Sequence, residues 1–316
     1  MHTIRSPQKL LIRHRTYHKQ FIDDEDFSTL HAENQLPLCP RRRYIGITAV
    51  KFPLRRDFRI VGSCNGILCL YDCDEYNISL WNPSIRRKLT LPDCPRTCFT
   101  GQKIGFGFDP ITDDYKIVSI SSPRQNGGIV ESSFVYSMKT RTWCAITSPT
   151  PWFSEVASYA VFFNGAVHWV VGAYSVEPRD KRHYILTFDL STQVFGMIEL
   201  SDPSRKPSAL TTIKGFLAAI FQTSMYIWIW VRRDDSWFMV FKSESNKVQG
   251  GLTRVLQTTS NGGLLFKTFT GEVLFYNPKI GAPTRLVNLN DASQIYDVEM
   301  CVESLELLDI SKVFEQ

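Results

Sequence analysis

Patterns typical of helices are nearly absent from this sequence after residue 35. No apolar face with a period of 3.6 residues is sustained there. Long hydrophobic runs are also missing. The most apolar stretch, Phe216–Val231, contains Gln222 and Thr223 and is shorter than the roughly 18–20 residues of a membrane-spanning helix. We therefore predict an all-β chain without a membrane partner, in which Phe216–Val231 forms a pair of buried strands.

Secretion and metal-binding signals are lacking as well. Residues Met1–Arg15 are basic and have no apolar core of a signal peptide, which favours a cytoplasmic and/or nuclear location. The chain has 8 cysteines, but none lies in a Cys-x-x-Cys pair and no paired histidines follow, so zinc is not expected. The cysteines are predicted to be small buried hydrophobic residues that form no disulfides.

The net charge of +5 is concentrated near the N-terminus. Residues 1–59 contain 12 Lys and Arg against 6 Asp and Glu. Arg41–Arg43 and Arg55-Arg56 form either a solvated basic face or a site for an acidic partner or for nuclear targeting. Because the interleaved aromatic and basic motif of an RNA-binding sheet is missing, no specific nucleic acid partner is expected.

Three short motifs suggest chemistry but lack the residues that would complete a site. Gly105-Phe106-Gly107 has no third glycine and no βαβ context, so it does not predict a nucleotide site. Asp113-Asp114 is interpreted as a solvated turn, because adjacent turn residues point apart. His168 lies inside a predicted strand and is interpreted as a packing histidine with one satisfied nitrogen. We predict no cofactor, no metal and no catalytic residue.

What the sequence does contain is a recurring phrase. An aromatic residue ends a strand, a polar turn of a few residues follows, and a new strand starts. Copies begin at Trp81, Tyr136, Phe188 and Tyr276, at intervals of 55, 52 and 88 residues. A degenerate copy at Ile227–Phe241 divides the last interval. A period of about 44–55 residues is the blade length of β-propellers.

A second hairpin signal precedes several of these phrases. Asn65-Gly66, Asn164-Gly165 and Asn261-Gly262 each separate two apolar runs. Asn-Gly favours a type I′ turn, which needs positive φ at both central residues. Two hairpins per period give four strands, which is one propeller blade.

The units predicted from these signals cover most of the chain. They are centred on residues 58–92, 103–147, 155–200, 208–243 and 251–289. Strand candidates at Tyr44–Phe52 and Val298–Leu308 together complete a sixth blade and remove the open sheet edges. The predicted fold is therefore an all-β, propeller-like array of about six blades.

Ordered sequence phrases point to one family. They are Ser63–Leu70 (S-C-N-G-I-L-C-L), Trp81–Ser84 (W-N-P-S), Gly105–Pro110 (G-F-G-F-D-P), Asp113–Val118 (D-D-Y-K-I-V), Asn164–Trp169 (N-G-A-V-H-W), Ile185–Asp189 and Val302–Leu305. Together they resemble the phrases of the plant F-box associated, kelch-like domain. The resemblance runs across residues 58–308.

The resemblance implies a substrate-recruiting subunit of an SCF-type ubiquitin ligase. In such proteins an N-terminal F-box docks on a Skp-type adaptor that hangs from a cullin, and the receptor performs no chemistry. Here residues 36–316 match the associated domain, and residues 1–35 resemble the end of a truncated, degenerate F-box, expected to be short and helical. Within it, Phe21, Ile22, Phe27 and Leu30 are the candidate adaptor-contact remnant.

Two other functions stay open. One is a stand-alone protein-interaction module that has lost adaptor binding. The other is a propeller glycosidase or sialidase, although the turn at Ser137–Trp143 lacks the Asp and Gly of the sialidase box.

The target protein is not identified by the sequence. The candidate partner-binding residues are Trp152 and Phe153, which are expected to form an exposed anchor after a proline-rich turn. The remaining strand tryptophans are expected to fill the spaces between blades. They are Trp81, Trp143, Trp169, Trp228, Trp230 and Trp237.

Overall fold

The fold is built from β-strands and turns. A computed structural model describes residues 8–18, 21–22, 26–31, 48–51, 58–95, 103–120, 133–147, 153–156, 160–174, 181–245, 248, 251–258, 263–277, 279–280, 282–285 and 293–306. None of these residues belongs to an α-helix, and the described part of the chain has no helix that would cross a membrane. The chain divides into two compact units: Met1–Pro92 with Leu256–Gln316, and Asp93–Val255.

The first unit begins with two sheets. The first sheet includes β1 (Gln8–His18), β2 (Phe21–Ile22), β3 (Asp26–His31) and β4 (Thr48–Lys51). The second sheet consists of β5 (Phe58–Cys64), β6 (Ile67–Asp72), β7 (Ile78–Asn82) and β8 (Arg87–Thr90). The strands of the second sheet pair with their neighbours in chain order, each antiparallel to the last.

The second unit contains three sheets of the same kind. The third sheet consists of β9 (Lys103–Asp109), β10 (Asp114–Ile120), β11 (Ser133–Ser137) and β12 (Thr142–Ile146). The fourth consists of β13 (Phe153–Val156), β14 (Val161–Phe163), β15 (Ala166–Tyr174), β16 (Lys181–Asp189) and β17 (Phe195–Glu199). The fifth consists of β18 (Ala209–Ile213), β19 (Phe216–Gln222), β20 (Tyr226–Arg233) and β21 (Ser236–Glu244). The predicted strand pair within Phe216–Val231 is confirmed as β19 and β20.

The end of the chain, from Leu256 onward, completes the first unit, and residues 252–255 of the sheet described next belong to the second unit. The sixth sheet consists of β22 (Leu252–Thr258), β23 (Leu264–Thr268), β24 (Val273–Asn277) and β25 (Ala282–Arg285). The last strand, β26 (Ser293–Val302), joins the first sheet. The order there is β26-β1-β3-β4, with β2 also paired to β1, so the first sheet combines strands from both ends of the chain.

The turn chemistry predicted from the sequence is present. Asn65 and Gly66 have φ angles of 50° and 80°, and Asn164 and Gly165 have 48° and 75°. Positive φ at both positions defines the type I′ hairpin turn that Asn-Gly favours. Asn261-Gly262 lies outside the described residues.

The polar residue of the recurring phrase caps its turn. The side-chain oxygens of Asn82, Asp189 and Asn277 each accept a hydrogen bond from the backbone N–H two residues later, at 2.8, 2.9 and 3.0 Å. This Asx geometry closes a tight turn locally. It explains why the phrase recurs with Asn or Asp at this position.

The predicted architecture is confirmed. Six sheets are present in the described residues, and five of them match the predicted units closely. The sixth blade was expected from Tyr44–Phe52 and Val298–Leu308. β4 and β26 do lie in one sheet there, but β1 and β3 separate them.

The expected helical character of residues 1–35 is wrong for the part that the structure describes. Lys9–His14 pair with β3 on one side, and Gln8–Thr16 pair with β26 on the other. Leu10, Leu11 and Ile12 are 2%, 1% and 1% exposed, because a central strand is covered on both faces. The first sheet therefore takes strands from both sides of the predicted boundary between residues 35 and 36.

Apolar side chains fill the spaces between neighbouring sheets within each unit. In the first unit, one cluster joins the first and sixth sheets and another joins the first and second. In the second unit, one cluster joins the third and fourth sheets and another joins the fourth and fifth. Trp81 and Trp169 are buried there, as predicted, at 1% and 0% exposure.

Candidate interaction surface

The predicted partner anchor is not exposed at Phe153. The side chain of Phe153 is 3% exposed and packs in the cluster between the third and fourth sheets, near Val118 and Trp169. The expectation of an exposed Phe153 is therefore wrong, because its position in β13 turns the ring toward the core. Trp152 lies outside the described residues, and its role stays a prediction.

The candidate adaptor-contact residues lie in strands. Phe21 and Ile22 form β2, and Phe27 and Leu30 lie in β3. Phe27 pairs with Arg13 and Leu30 with Leu10 along the ladder between β1 and β3. Their backbones thus take part in the first sheet, and whether their side chains contact an adaptor stays a prediction.

Three of the family-like phrases meet in the first unit. The side-chain amide of Asn82 donates hydrogen bonds to the backbone oxygens of Ser304 and Glu306, at 3.0 and 2.9 Å. Ser63 donates to the Glu299 carboxylate at 2.6 Å. A Cβ on Gly66 would lie 2.5 Å from the Cβ of Ser304. The phrases at 63–70, 81–84 and 302–305 therefore fasten the C-terminal segment to the second sheet.

The glycines of Gly105-Phe106-Gly107 serve packing. Both lie in β9, and a Cβ on Gly105 would come within 2.7 Å of Cζ2 of Trp169 and would also clash with Val167. A Cβ on Gly107 would clash with the ring of Phe162. The glycines thus let the third and fourth sheets approach closely. Packing accounts for both glycines without a bound nucleotide.

Replacing Gly105 with alanine tests this interpretation. We expect Gly105→Ala to lower the free energy of unfolding by about 1–3 kcal/mol, because overpacked cores must shift side chains or backbone. Urea unfolding followed by circular dichroism measures the change. Gly62→Ala is the matched control, since a Cβ on Gly62 meets no atom within 4 Å. Equal stability of the two variants would contradict the packing role.

Asp109 is the centre of a buried polar network. Its carboxylate accepts hydrogen bonds from Nζ of Lys116 at 2.7 Å, from Oγ1 of Thr112 at 2.5 Å, from the backbone N–H of Ile111 at 2.9 Å and from the hydroxyl of Ser191. Burial alone would raise the pKa of Asp109, but these hydrogen bonds hold it below its ordinary value. The carboxylate is therefore charged and satisfied, and acts as a structural group.

Asp113 and Asp114 differ from the prediction of a solvated pair. Asp113 is exposed in the turn, with a φ of 53°. Asp114 is 4% exposed and accepts hydrogen bonds from Oγ of Ser137 at 2.6 Å and from the backbone N–H of Lys139 at 2.9 Å. The solvated interpretation is wrong for Asp114, which ties two turns of the third sheet together.

His168 is a packing histidine, as predicted. It is 5% exposed, and its Nδ1 lies 3.3 Å from the backbone oxygen of Val161. Burial is the main reason why the pKa of His168 is lowered to about 4; hydrogen bonds to backbone oxygens raise the pKa, and the nearby charge of Arg232 contributes to lowering it. The ring is therefore neutral near pH 7.

This pKa predicts acid sensitivity. The pKa of an unfolded histidine is about 6.5, so the unfolded chain binds the proton more tightly. We expect stability to fall as the pH drops from about 6.5 to about 4, by about 3 kcal/mol in total. His168→Gln keeps a side-chain N–H for Val161 and stays neutral, so it should flatten this dependence. Urea unfolding at several pH values measures it, and an unchanged slope would refute the assignment.

The fifth sheet carries a row of aromatic side chains along β20. Tyr226, Trp228 and Trp230 alternate along β20 with fully buried residues and are themselves half-buried. Arg205 lies over the Trp228 ring at 5.6 Å, and Nζ of Lys242 lies over the Tyr226 ring at 4.7 Å. Aromatic residues and arginine are the types most enriched in protein-binding hot spots.

Outer strand β21 adds exposed apolar side chains. Phe238, Met239 and Val240 are 51%, 50% and 46% exposed. The half-buried Trp237 donates a hydrogen bond from its indole to the backbone oxygen of Glu199, at 2.8 Å. Trp228, Trp230 and Trp237 pack, partly buried, against the cluster between the fourth and fifth sheets, which agrees with their predicted place between blades. The exposure of Phe238–Val240 was not predicted. The signal available was the uncharged run Trp237–Phe241 in a strand that ends a blade.

Catalytic and metal-binding groups were not predicted, and the described residues offer no cluster of three or more His, Cys, Asp or Glu that would hold a metal ion. No disulfide joins the cysteines that the structure describes. Cys64 and Cys69 are buried as predicted, and burial raises the pKa of Cys69. Cys144 is exposed, contrary to the expectation of a buried cysteine, because it lies in outer strand β12.

Comparison with known proteins decides the family. The F-box associated beta propeller domain matches residues 27–294. The chain belongs to this family. The resemblance inferred from the ordered phrases is thereby confirmed, as is the propeller-type fold class.

Curated relatives of this family member come from Arabidopsis thaliana. F-box protein At3g07870 is 28% identical over 296 residues, covering 74% of this chain and 68% of the relative. F-box/kelch-repeat protein At3g23880 is 26% identical over 148 residues, covering 45% of this chain and 39% of the relative. The chain thus spans between about two fifths and two thirds of the length of these relatives.

Solved structures support the fold. A chain of a nidogen/laminin complex has a TM-score of 0.56 and 12% identity, covering 94% of this chain and 99% of that chain. TolB from Acinetobacter baumannii has a TM-score of 0.56 and 10% identity, covering 92% of this chain and 66% of that chain. Likeness at such low identity shows a shared fold and carries no conclusion about function.

Proposed function

We propose that this chain recruits a target protein to an SCF-type ubiquitin ligase through its F-box associated domain. The observation that carries the proposal is the family match across residues 27–294, together with relatives that are named F-box proteins. The exposed aromatic and apolar side chains of the fifth sheet supply a surface of the kind that protein partners use.

The proposed role needs no chemistry from this chain. A receptor accelerates ubiquitin transfer by holding the target near the charged enzyme, which converts an encounter in solution into a local one. We propose a Skp-type adaptor and a cullin as the ligase partners, and the cytoplasm and/or nucleus as the location.

Copurification tests the ligase coupling. The product of the complete reading frame of the gene, and this chain alone, are each mixed with purified Skp-type adaptor and cullin. We expect a stoichiometric complex with the complete product, seen by size-exclusion chromatography with light scattering. If neither form binds the adaptor while a curated F-box relative does in parallel, the receptor proposal fails.

A second candidate is a protein-interaction module without ligase coupling. It is favoured by the position of β1, which pairs with β3 and β26 and buries Leu10, Leu11 and Ile12. Residues held in that sheet are not free to form a helical adaptor site. The same copurification separates the two candidates, because this one predicts target binding without adaptor binding.

A further inference from the structure

Within the described residues, the outer strand of the fifth sheet has an open edge. The sheet order is β18-β19-β20-β21, so β21 pairs with β20 on one side, and no described strand pairs with its other side. Backbone N–H and C=O groups along such an edge are available to another extended chain. β21 spans Ser236–Glu244, nine residues, which is enough for several main-chain hydrogen bonds.

β21 lacks much of the protection that outer strands usually have. Charged residues, prolines and short length normally keep sheet edges from pairing. β8 carries the exposed Arg87 and Lys88 and has four residues, and β25 has four residues and contains Pro283. Between Ser236 and Phe241, β21 has neither a charge nor a proline, and three of its apolar side chains, those of Phe238, Met239 and Val240, are exposed.

A bulge turns one of these side chains outward. Met239 pairs with Trp230 and Phe241 pairs with Ile229, which leaves Val240 without a partner on β20. Bulges at sheet edges re-aim side chains and are frequent beside functional sites. The bulge explains how Phe238, Met239 and Val240 are all about half exposed although they are consecutive.

We propose that β21 receives an extended segment of the target protein, which adds to the fifth sheet as a further strand. The proposal rests on the proposed function of target recruitment and names its surface and the kind of segment recognised. Main-chain hydrogen bonds to β21 supply affinity, and side chains at alternate positions supply specificity.

The side chains around β21 specify apolar residues at those alternate positions. Met239 shares one face of the sheet with its cross-strand partner Trp230 and with Trp237. Trp237 is fixed by its hydrogen bond to Glu199, and Ile198 packs into the same cluster as both tryptophans. An apolar side chain of the added strand packs against the side chains of Trp230, Trp237 and Met239 and buries the exposed part of Met239.

Charge specifies an acidic residue in the added segment. Lys242 is the single charged side chain between Ser236 and Ser243, and it is exposed. Its ammonium group lies over the Tyr226 ring, and none of the carboxylates in the described residues forms an ion pair with it. A carboxylate on the added strand beside Lys242 gains an ion pair and fixes the register.

A second copy of this chain fits the edge less well. Pairing the full length of β21 with its own copy sets Val240 against Val240, so both bulges interrupt the ladder at the same place. A target segment without a bulge follows the edge over a longer stretch. Strand addition by a target is therefore favoured over a homodimer.

Peptide selection on the whole chain tests the proposal. The probe is a phage-displayed library of random peptides of about 12 residues, and selected sequences are then made as labelled synthetic peptides. We expect enrichment of sequences that alternate apolar residues and contain an acidic residue. Binding should protect the amide hydrogens of residues 236–244 from exchange, which is the signature of strand addition.

Two variants and a control locate the site. Met239→Lys places a charge on the edge, and Phe238→Ser removes exposed apolar area without adding charge. Each should weaken binding of the selected peptides at least tenfold by fluorescence anisotropy. Val194→Lys, at a side chain that is 61% exposed outside the fifth sheet, should leave binding unchanged. Circular dichroism shows that each protein is folded.

Several results would overturn strand addition. They are a library without enriched peptides, peptides that bind both variants as tightly as the parent chain, and exchange protection only outside residues 236–244. A concentration-dependent dimer that Met239→Lys abolishes would identify a second copy as the occupant instead. Adaptor copurification does not involve β21, so failure of the ligase proposal is seen separately.

Discussion

Deleting residues 1–35 is expected to prevent the first unit from folding. The deletion removes β1, β2 and β3. β1 is the strand between β3 and β26, and the buried side chains Leu10, Leu11 and Ile12 are lost with it. Losing a central strand exposes β26 and both apolar clusters that β1 joins. Burying each large aliphatic side chain contributes about 1.5–3 kcal/mol, so these three side chains alone account for a loss of the same order as the total stability of ordinary domains, about 5–15 kcal/mol.

Soluble expression and circular dichroism measure this effect. The deleted chain should be recovered mainly as aggregate, or should lack a cooperative thermal transition. A deletion of residues 1–7, which leaves every described strand intact, is the control. A cooperative transition in the chain without residues 1–35, at the temperature of the parent, would show that the N-terminal segment is an appendage and would favour its role as an adaptor-binding remnant.

Arg13 illustrates why this segment is integral. Its side chain is 2% exposed, donates a hydrogen bond to the backbone oxygen of Phe58 at 2.6 Å and lies over the Phe58 ring at 3.5 Å. The guanidinium is also 3.8 Å from the Asp297 carboxylate of β26. A buried cation with partners on β5 and β26 holds the two ends of the described chain in one unit.

Asp109→Asn is expected to lower the free energy of unfolding of the second unit by about 3–5 kcal/mol. The change neutralises the partner of Lys116, whose ammonium group is buried and lies 2.7 Å from the carboxylate. Lys116 also donates to the backbone oxygen of Leu190 at 2.7 Å, but a carbonyl does not compensate a buried charge. The uncompensated charge is the main cost.

A double-mutant cycle separates this pair from its surroundings. Lys116→Met alone should also destabilise, because it leaves the buried carboxylate without its cation. Combining it with Asp109→Asn should cost less than the sum of the two single changes, by at least about 1 kcal/mol. Urea unfolding provides the four free energies. Strict additivity would mean that Asp109 and Lys116 contribute independently and that the ion pair is not the source of the effect.

Local turn chemistry was predictable from the sequence. Asn65-Gly66 and Asn164-Gly165 adopt positive φ because few other residues do so at low cost. The turns at Lys214-Gly215 and Asp234-Asp235 also have positive φ, at 49°, 76°, 44° and 61°, yet they lack the Asn-Gly signal. There the apolar strands on both sides leave two residues for the turn. These two residues adopt positive φ although they are not Asn-Gly.

Exposure of aromatic residues was less predictable. Trp152 and Phe153 were expected to be exposed because they follow a proline-rich turn, but Phe153 packs in the core. Phe238 was predicted to lie in a strand, but the prediction did not say that this strand is the outer strand of its sheet. Sequence periodicity separates the two faces of a strand, but it does not say which strand of a sheet lies outermost.

The sequence by itself determined the strands, their four-stranded repeat and the family, because hairpins and tight turns are set by residues close together in the chain. Only the tertiary structure decided the place of β1 and β3. Backbone pairing between β1 and β26 joins residues that are far apart in sequence, such as Leu11 and Glu299. No local pattern encodes such a contact. It forms because, without it, the sheet edge of β26 and the apolar strand β1 would each lack a partner.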